Sequence, residues 1–288
     1  MNDRIKWKII NLIRQTRTRA KHIFFDREAL KFLLKNKQIA NHYAGKRCFI
    51  LGNGPSLKLY DLSVLENEFV FAVNDFVRFP LVDVVKPNCY VLADPKFFEL
   101  KSTDEQDRLF SEKIADLPKV SKDIMFFAPL SARKQVSEYG WDKKIDIRYF
   151  NSYTHFYDDY DQEIDFTKMV PLMQNVVQYC IMLAIYMGFT EIYMLGTDQT
   201  NIFGNLKAYM SSEISEYAYE LKGDEKKWKH QKLIEHPLVD TLRGYARIFE
   251  LFDELGKYAR VRGIKLFNCA PETLVQGIDK FNFDEIEF

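Results

Sequence analysis

Seven short apolar runs restrict the fold more than anything else in this chain. They lie at residues 48–51, 69–73, 89–93, 124–128, 145–149, 191–195 and 265–268. Each is too short for a buried helix, and most lack the polar–apolar alternation of a half-exposed strand. They read as strands buried on both faces, as in a parallel sheet. Helical segments separate them. Residues 174–187 are apolar on most sides and are closed by Gly188. Residues 237–262 carry Leu238, Leu242, Tyr245, Phe249, Phe252 and Leu255 at helical spacing and end at Gly263. Strand–helix alternation of this kind predicts an α/β fold with a doubly wound, mostly parallel sheet. A length of 288 residues at 47% hydrophobic content suits one large domain, or a domain with an appendage.

Charge sets the appendage apart. Residues 1–46 hold 12 Lys/Arg against 3 Asp/Glu, whereas the remainder holds 29 against 38. Near the N-terminus, Ile5, Trp7, Ile9, Ile10, Leu12 and Ile13 are interleaved with Arg4, Lys6, Lys8, Arg14, Arg17, Arg19 and Lys21. We therefore divide the chain into a basic amphipathic helical arm, 1–45, and an α/β domain, 46–288. Residues 1–24 suit an anionic membrane surface. The other readings of this segment are a helix packed on the main domain and a nucleic-acid arm; the acidic remainder disfavours nucleic acid. No run approaches 18 apolar residues and no signal-peptide core is present, so the expected location is cytoplasmic, peripheral to the inner face of the cell membrane. Cys48, Cys89, Cys180 and Cys269 are far apart and read as buried free thiols.

Two segments are long for connections. Residues 151–168 are rich in Tyr, Asp and Phe, and residues 200–235 are polar and aromatic. Both read as lids or binding loops, the second (about 200–235) hanging between a strand end and a long helix.

Several strands turn polar at their carboxyl ends, where an open α/β sheet binds its ligand. The first gives Gly52-Asn53-Gly54-Pro55-Ser56, a loop that would let backbone N–H groups face a phosphate, with Ser56 as a helix N-cap. The second gives Asn74-Asp75, the third Asp94-Pro95, and the strand at 191–195 gives Gly196-Thr197-Asp198-Gln199. His236 precedes Pro237 at the start of the long helix, whose positive end favours a neutral imidazole able to accept a proton. Asp158-Asp159-Tyr160-Asp161 contains an Asp-x-Asp but has no strand leading into it, and reads as a solvated turn; no metal site is expected.

Gly52 to Leu57, Asn74 after a strand, and Asp94-Pro95 with Phe97-Phe98-Glu99 together resemble the bacterial sialyltransferases of glycosyltransferase family 42. The stretch 184–193 leading into Gly196-Thr197-Asp198, His236 opening a long helix, and Cys269-Ala270-Pro271 fit the same family, in order, over about 46–275. A wider set shares the Gly-x-Gly-Pro-Ser-Leu loop, including motility-associated glycosyltransferase-like proteins and an archaeal pterin diphosphokinase. The resemblance implies a Rossmann-like, GT-A-like variant fold. It implies inverting, metal-independent transfer of a nonulosonic acid, such as sialic acid, from a CMP donor. The acceptor would be a glycan or glycolipid in surface polysaccharide or lipooligosaccharide synthesis. No cofactor beyond the CMP-sugar substrate is implied. In that scheme Asn53 and Gly54 contact the nucleotide, Asn74 and Asp94 hold the donor, and His236 is the general base. The family's Ser-Gly donor-carboxylate contact is replaced here by Gln174-Asn175-Val176. Gln199 stands where a tyrosine is expected, and the nearest downstream tyrosine is Tyr209. A pterin-type diphosphokinase and a non-catalytic nucleotide-binding protein of the same fold stay open, as does a homo-oligomeric state.

Overall fold

The computed structural model describes residues 3–25, 27–79, 82–101, 103–157, 159–211, 231 and 234–288, with backbone only at 22–25. Among the described residues nine strands form one sheet: β1 (Arg47–Leu51), β2 (Val70–Val73), β3 (Cys89–Val91), β4 (Met125–Pro129), β5 (Asp146–Thr154), β6 (Met169–Pro171), β7 (Glu191–Leu195), β8 (Lys265–Asn268) and β9 (Asp279–Lys280). Their order is β6-β5-β4-β3-β2-β1-β7-β8-β9, and every pairing is parallel. The chain starts in the middle at β1, winds outward to β6, then returns to place β7 on the other side of β1. The expected doubly wound α/β sheet is present, and its switch point lies between β1 and its two neighbours.

The described helices are α1 (Asp3–Phe25), α2 (Arg27–Leu34), α3 (Val82–Val85), α4 (Glu105–Ala115), α5 (Leu117–Val120), α6 (Arg133–Glu138), α7 (Val176–Met187), α8 (Asn201–Ala208) and α9 (Leu238–Val261). Among the described residues, no helix is long and apolar enough to cross a membrane. The strands bury both faces, so alternate residues feed two separate cores. Cys48 and Ile50 face one core with α7 and α9, and Phe49 and Leu51 face the other with α4, α5 and α6. The centrepiece is α7. Asn175 and Gln178 form a capping box at its start, and Gly188 closes it in the left-handed region at φ 94°.

Three expectations need correction. Strands β6 and β9, of three and two residues, are too short to leave a pattern in the sequence. Residues 151–168 are not a lid. The first four extend β5, and Phe156, Tyr157, Tyr160, Ile164 and Phe166 are buried in the α7-side core. In the acidic turn, of which Asp158 lies outside the described residues, Asp159 and Asp161 are exposed as expected, and Asp161 accepts from Arg4 (2.9 Å) and Lys8 (2.6 Å) on α1. The boundary between 45 and 46 does not separate two packing units. Asn36 is fully buried and donates Nδ2 to the carbonyls of Tyr149 (2.7 Å) and Phe166 (2.9 Å).

α1 is docked on the body along one side. Trp7 stacks on His155 with ring centroids 3.9 Å apart. Asn11 pairs with the His155 backbone twice, through Nδ2 to the carbonyl and Oδ1 from the N–H, both at 2.8 Å.

Candidate functional site

The carboxyl ends of β1, β2 and β7 surround a cavity of about 150 Å³ together with the start of α7. Its walls are Gly52, Asn53, Gly54, Pro55, Val73, Asn74, Asn175, Val176, Val177, Gly196, Asp198, Gln199, Thr200 and Asn201. Three expected loops and the helix start are thus brought together at the switch point. Val176, Val177, Thr200 and Asn201 carried no motif of their own; the helix start that Asn175 caps, and the segment after Gln199, were the only signals for them.

The glycine loop does something other than the sequence suggested. Gly52 N–H donates to the Leu195 carbonyl at 2.8 Å, and Gly54 N–H to the Gly196 carbonyl at 2.9 Å. Ser56 N–H points at Asp198 Oδ2, 3.4 Å away. The loop is therefore strapped to the β7 loop, and of its N–H groups only that of Asn53 has no partner among the described residues. A Cβ on Gly52 would lie 2.4 Å from the Gly196 carbonyl oxygen, and one on Gly54 would lie 1.9 Å from Asp198 Oδ2. The glycines are needed for this close approach. Ser56 is not a helix N-cap. Gly54 holds that position for a five-residue 3₁₀ turn, Pro55–Leu59, which has no appreciable dipole to offer a phosphate.

Asn74 adopts φ 51° and Gln199 φ 57°, a conformation uncommon outside glycine, and both line the cavity. The Asn74 carbonyl accepts from the buried Tyr90 hydroxyl. Asn53 Nδ2 reaches across to the Val73 carbonyl at 3.2 Å. Asn175 Oδ1 is used by Val177 N–H at 2.8 Å, which leaves its NH₂ for the cavity. Asp75 turns away and pairs with Arg78 at 3.2 Å.

Asp198 is the one ionisable side chain in the described wall, amid the amides of Asn53, Asn74, Asn175, Gln199 and Asn201. It is 3% exposed, and burial pushes its carboxyl above the ordinary aspartate range, against the opposing pull of Ser56. Ser56 Oγ, Asn74 Oδ1 and Thr197 Oγ1 are buried around it without a well-formed hydrogen bond. Of the three, only Asn74 belongs to the cavity wall. Thr197 itself lies behind the wall, its carbonyl held by Asn268 Nδ2 at 3.1 Å and Thr273 Oγ1 at 3.0 Å.

Three expected residues stand elsewhere. Asp94 caps its own 3₁₀ turn, accepting from Lys96 N–H at 3.0 Å with the Lys96 ammonium 3.4 Å away, and does not line the cavity. His236 is exposed, one residue before Pro237, which occupies the cap position of α9. Tyr209 hydroxyl donates to the His236 carbonyl at 3.0 Å and lies 2.6 Å from Thr241 Oγ1, also outside the cavity wall. Of the expected lid, residues 212–230, 232 and 233 lie outside the described residues, and 201–208 form α8. Among the described residues, no group of three or more His, Cys, Asp or Glu is arranged to hold a metal ion.

A family model described as 6-hydroxymethylpterin diphosphokinase MptE-like matches residues 27–202. The chain belongs to the MptE-like family. The matched segment of this MptE-like chain runs from α2 to the start of α8 and includes every residue of the cavity wall. Among solved structures, it is similar to the sialyltransferase CstII from Campylobacter jejuni, in complex with the substrate analogue cytidine-5'-monophosphate. That likeness has 19% identity and a TM-score of 0.44, over 83% of this chain and 85% of that one, too distant to bear on function. No curated protein matches the sequence.

Proposed function

We propose that this chain is a nucleotide-dependent transferase whose switch-point cavity takes the phosphate end of the donor. The supporting observation is the cavity wall: close-set glycines, five side-chain amides and a single carboxylate, with no Lys or Arg among its described members. Neutral amide donors suit a phosphate diester of one negative charge better than a triphosphate, which calls for cations. The donor we assign is therefore a CMP-linked acidic sugar, of the nonulosonic-acid type, used without a metal and without a resident cofactor. In the step proposed, an acceptor hydroxyl of a glycan or glycolipid attacks the anomeric carbon with inversion. The bond from that carbon to the phosphate oxygen breaks, CMP leaves, and the hydroxyl proton passes to a base.

In this reading Asn53, Asn74 and Asn175 hold the donor, with Gln199 facing it from β7. Asp198 stays fixed against Ser56 and accepts a hydrogen bond from the donor. His236 is assigned as the base on the acceptor side. Helix α8 starts at the wall with Asn201 and leads to Tyr209, which is bonded to the His236 carbonyl. Eight helical residues span ~12 Å, so His236 serves the acceptor end and not the phosphate. Asp94 and Tyr209 have no direct contact role in this scheme.

The family description favours one second reading, diphosphate transfer from ATP to a pterin-like alcohol. Thermal shift separates the two, because a ligand that binds the folded state raises its melting temperature. CMP and CDP should shift the full chain more than purine nucleotides do, and EDTA should not reduce the shift. A larger shift with ATP and Mg²⁺ would replace the glycosyltransferase reading by the kinase one.

A further inference from the structure

α1 has two apolar sides. Trp7 and Asn11 face the body, whereas Ile5, Ile9, Leu12 and Ile13 fall on the opposite side at i, i+4, i+7 and i+8, between 47% and 67% exposed. Four half-exposed aliphatic side chains in one row form a patch and not scatter. Leu12 also lines a trough of about 570 Å³ between α1, α2 and the β6 edge of the sheet, walled by Leu30, Leu33, Leu34 and Met169. The trough shares Thr18, Asn151 and Met169 with an adjoining hollow of about 480 Å³, whose lining includes Lys21, Arg133 and Lys134. Arg133 lies 5.3 Å over the Phe32 ring, and Lys134 is 3.5 Å from Glu138 in an exposed pair. An exposed pair of this kind holds a cation only weakly, so Lys134 remains available to an anion.

An apolar trough that ends among cations complements one chemistry, a hydrocarbon chain carrying an anionic head group. The position of the second hollow adds to this. It lies at the carboxyl ends of β4 and β5, the same edge of the sheet as the nucleotide cavity. β4 is three strand spacings from β1, or ~14 Å.

We propose that the trough seats one acyl chain of an anionic phospholipid, with its phosphate against Lys21 and Lys134. The row on α1 lies alongside it in the bilayer surface. The docked protein then presents the carboxyl edge of its sheet beside the membrane, where a lipid-borne acceptor would be met. The lipid site shares no residue with the nucleotide cavity and does not rest on the transferase reading.

The test is co-sedimentation of the full chain with phosphatidylcholine vesicles, with and without phosphatidylglycerol. Binding should require phosphatidylglycerol and weaken with salt. Lys21→Gln together with Lys134→Gln should lower the partition coefficient roughly 30-fold, and Leu12→Asp should abolish binding, all with an unchanged melting temperature. Insertion is read separately. The four native cysteines are buried, so Leu34→Cys can be labelled alone with a polarity-sensitive fluorophore. Phosphatidylglycerol brominated along its acyl chain should quench that label. Three results would overturn the proposal: variants that pellet like the parent chain, a label left unquenched on pelleted protein, and a lipid-free dimer that Leu12→Asp splits. The second means adsorption by charge alone, and the third means that a second copy of this chain covers the trough.

Discussion

Gly54 has φ −70° and ψ 156°, values any residue adopts, so the backbone itself does not require glycine there. Space does: an added Cβ would lie 1.9 Å from Asp198 Oδ2 and 2.6 Å from the Gly196 carbonyl oxygen. Gly54→Ala should therefore cost about 1–3 kcal/mol of stability and impair nucleotide binding, measured by denaturant melts and calorimetric titration. Gly244→Ala in α9, where nothing lies within 4 Å, should be neutral or stabilising by up to about 1 kcal/mol. Asp198 carries a second prediction. Its folded-state carboxyl is raised by burial, so the favourable, protonated form is fully present only below the unfolded aspartate range. That contribution is lost as pH rises through the raised folded value, and at neutral pH the buried charge is a burden. Asp198→Asn should thus melt higher than the parent chain near pH 7, with the difference vanishing in acid. Its donor affinity should fall roughly 10- to 100-fold, the range for a hydrogen bond to a charged group. Equal stability at neutral pH with unchanged affinity would remove Asp198 from the site. The motif Gly52 to Ser56 was legible as a site, but its chemistry was not. The Gly52 and Gly54 N–H groups are consumed by Leu195 and Gly196, partners more than 140 residues later that no local pattern reveals.

At the scale of elements, the sequence showed α1 as amphipathic without showing which side was spoken for. Trp7 is one of the apolar residues of the segment expected to suit a membrane surface, yet it is the residue that stacks on His155, and Asn11 is the buried polar residue that fixes the register of the helix. The segment 151–168 misled for a related reason. Its Asp and Tyr content resembles a loop, but the rings of Phe156, Tyr157, Tyr160 and Phe166 point into the α7-side core while Asp161 reaches α1. The docking carries a pH prediction. His155 is lowered to about 4, first by burial and then by Arg247 and Arg14, with Glu250 opposing. A histidine kept neutral in the fold but free to protonate when unfolded takes up protons preferentially in the unfolded state between about 6.5 and about 4. Stability is therefore complete above that window and declines as pH falls through it. The imidazole resonances of His155 should titrate near 4 in the intact chain. Trp7→Ala, which uncovers the ring, should move the midpoint up toward 6.5, the ordinary histidine value. A midpoint that ignores Trp7 would mean that α1 does not shield His155.

For the molecule as a whole, seven of the nine strands were legible because a parallel sheet buries both faces and so writes continuous apolar runs. The order of those strands was not, since it depends on the return from β6 to β7 that puts the site between β1, β2 and β7. The limit of the folding unit was placed too late for a like reason: residues 35–45 are polar in sequence but are tied to the sheet by single buried groups. Asn36 holds the carbonyls of Tyr149 and Phe166 and receives the Tyr186 hydroxyl at 3.0 Å. Asn41 and Tyr43 N–H groups close the end of α7 on the carbonyls of Tyr186 (3.0 Å) and Met187 (2.8 Å), and the Tyr43 ring stacks on Phe189 at 4.9 Å. Leu33 and Ile39 are buried beside them. A chain starting at residue 46 loses all of this. Each orphaned buried polar group costs about 1–3 kcal/mol, and each lost Leu or Ile about 1.5–3 kcal/mol. A domain's total stability is only about 5–15 kcal/mol, so the loss should exceed it. A chain starting at residue 27, where the family match also begins, loses only α1, whose partners at His155 and Asp161 can be hydrated once it leaves. The first truncation should show no cooperative calorimetric transition. The second should keep its transition and its nucleotide response while losing vesicle binding. A cooperative melt of the chain from residue 46 would make residues 27–45 an accessory to the sheet instead of part of it.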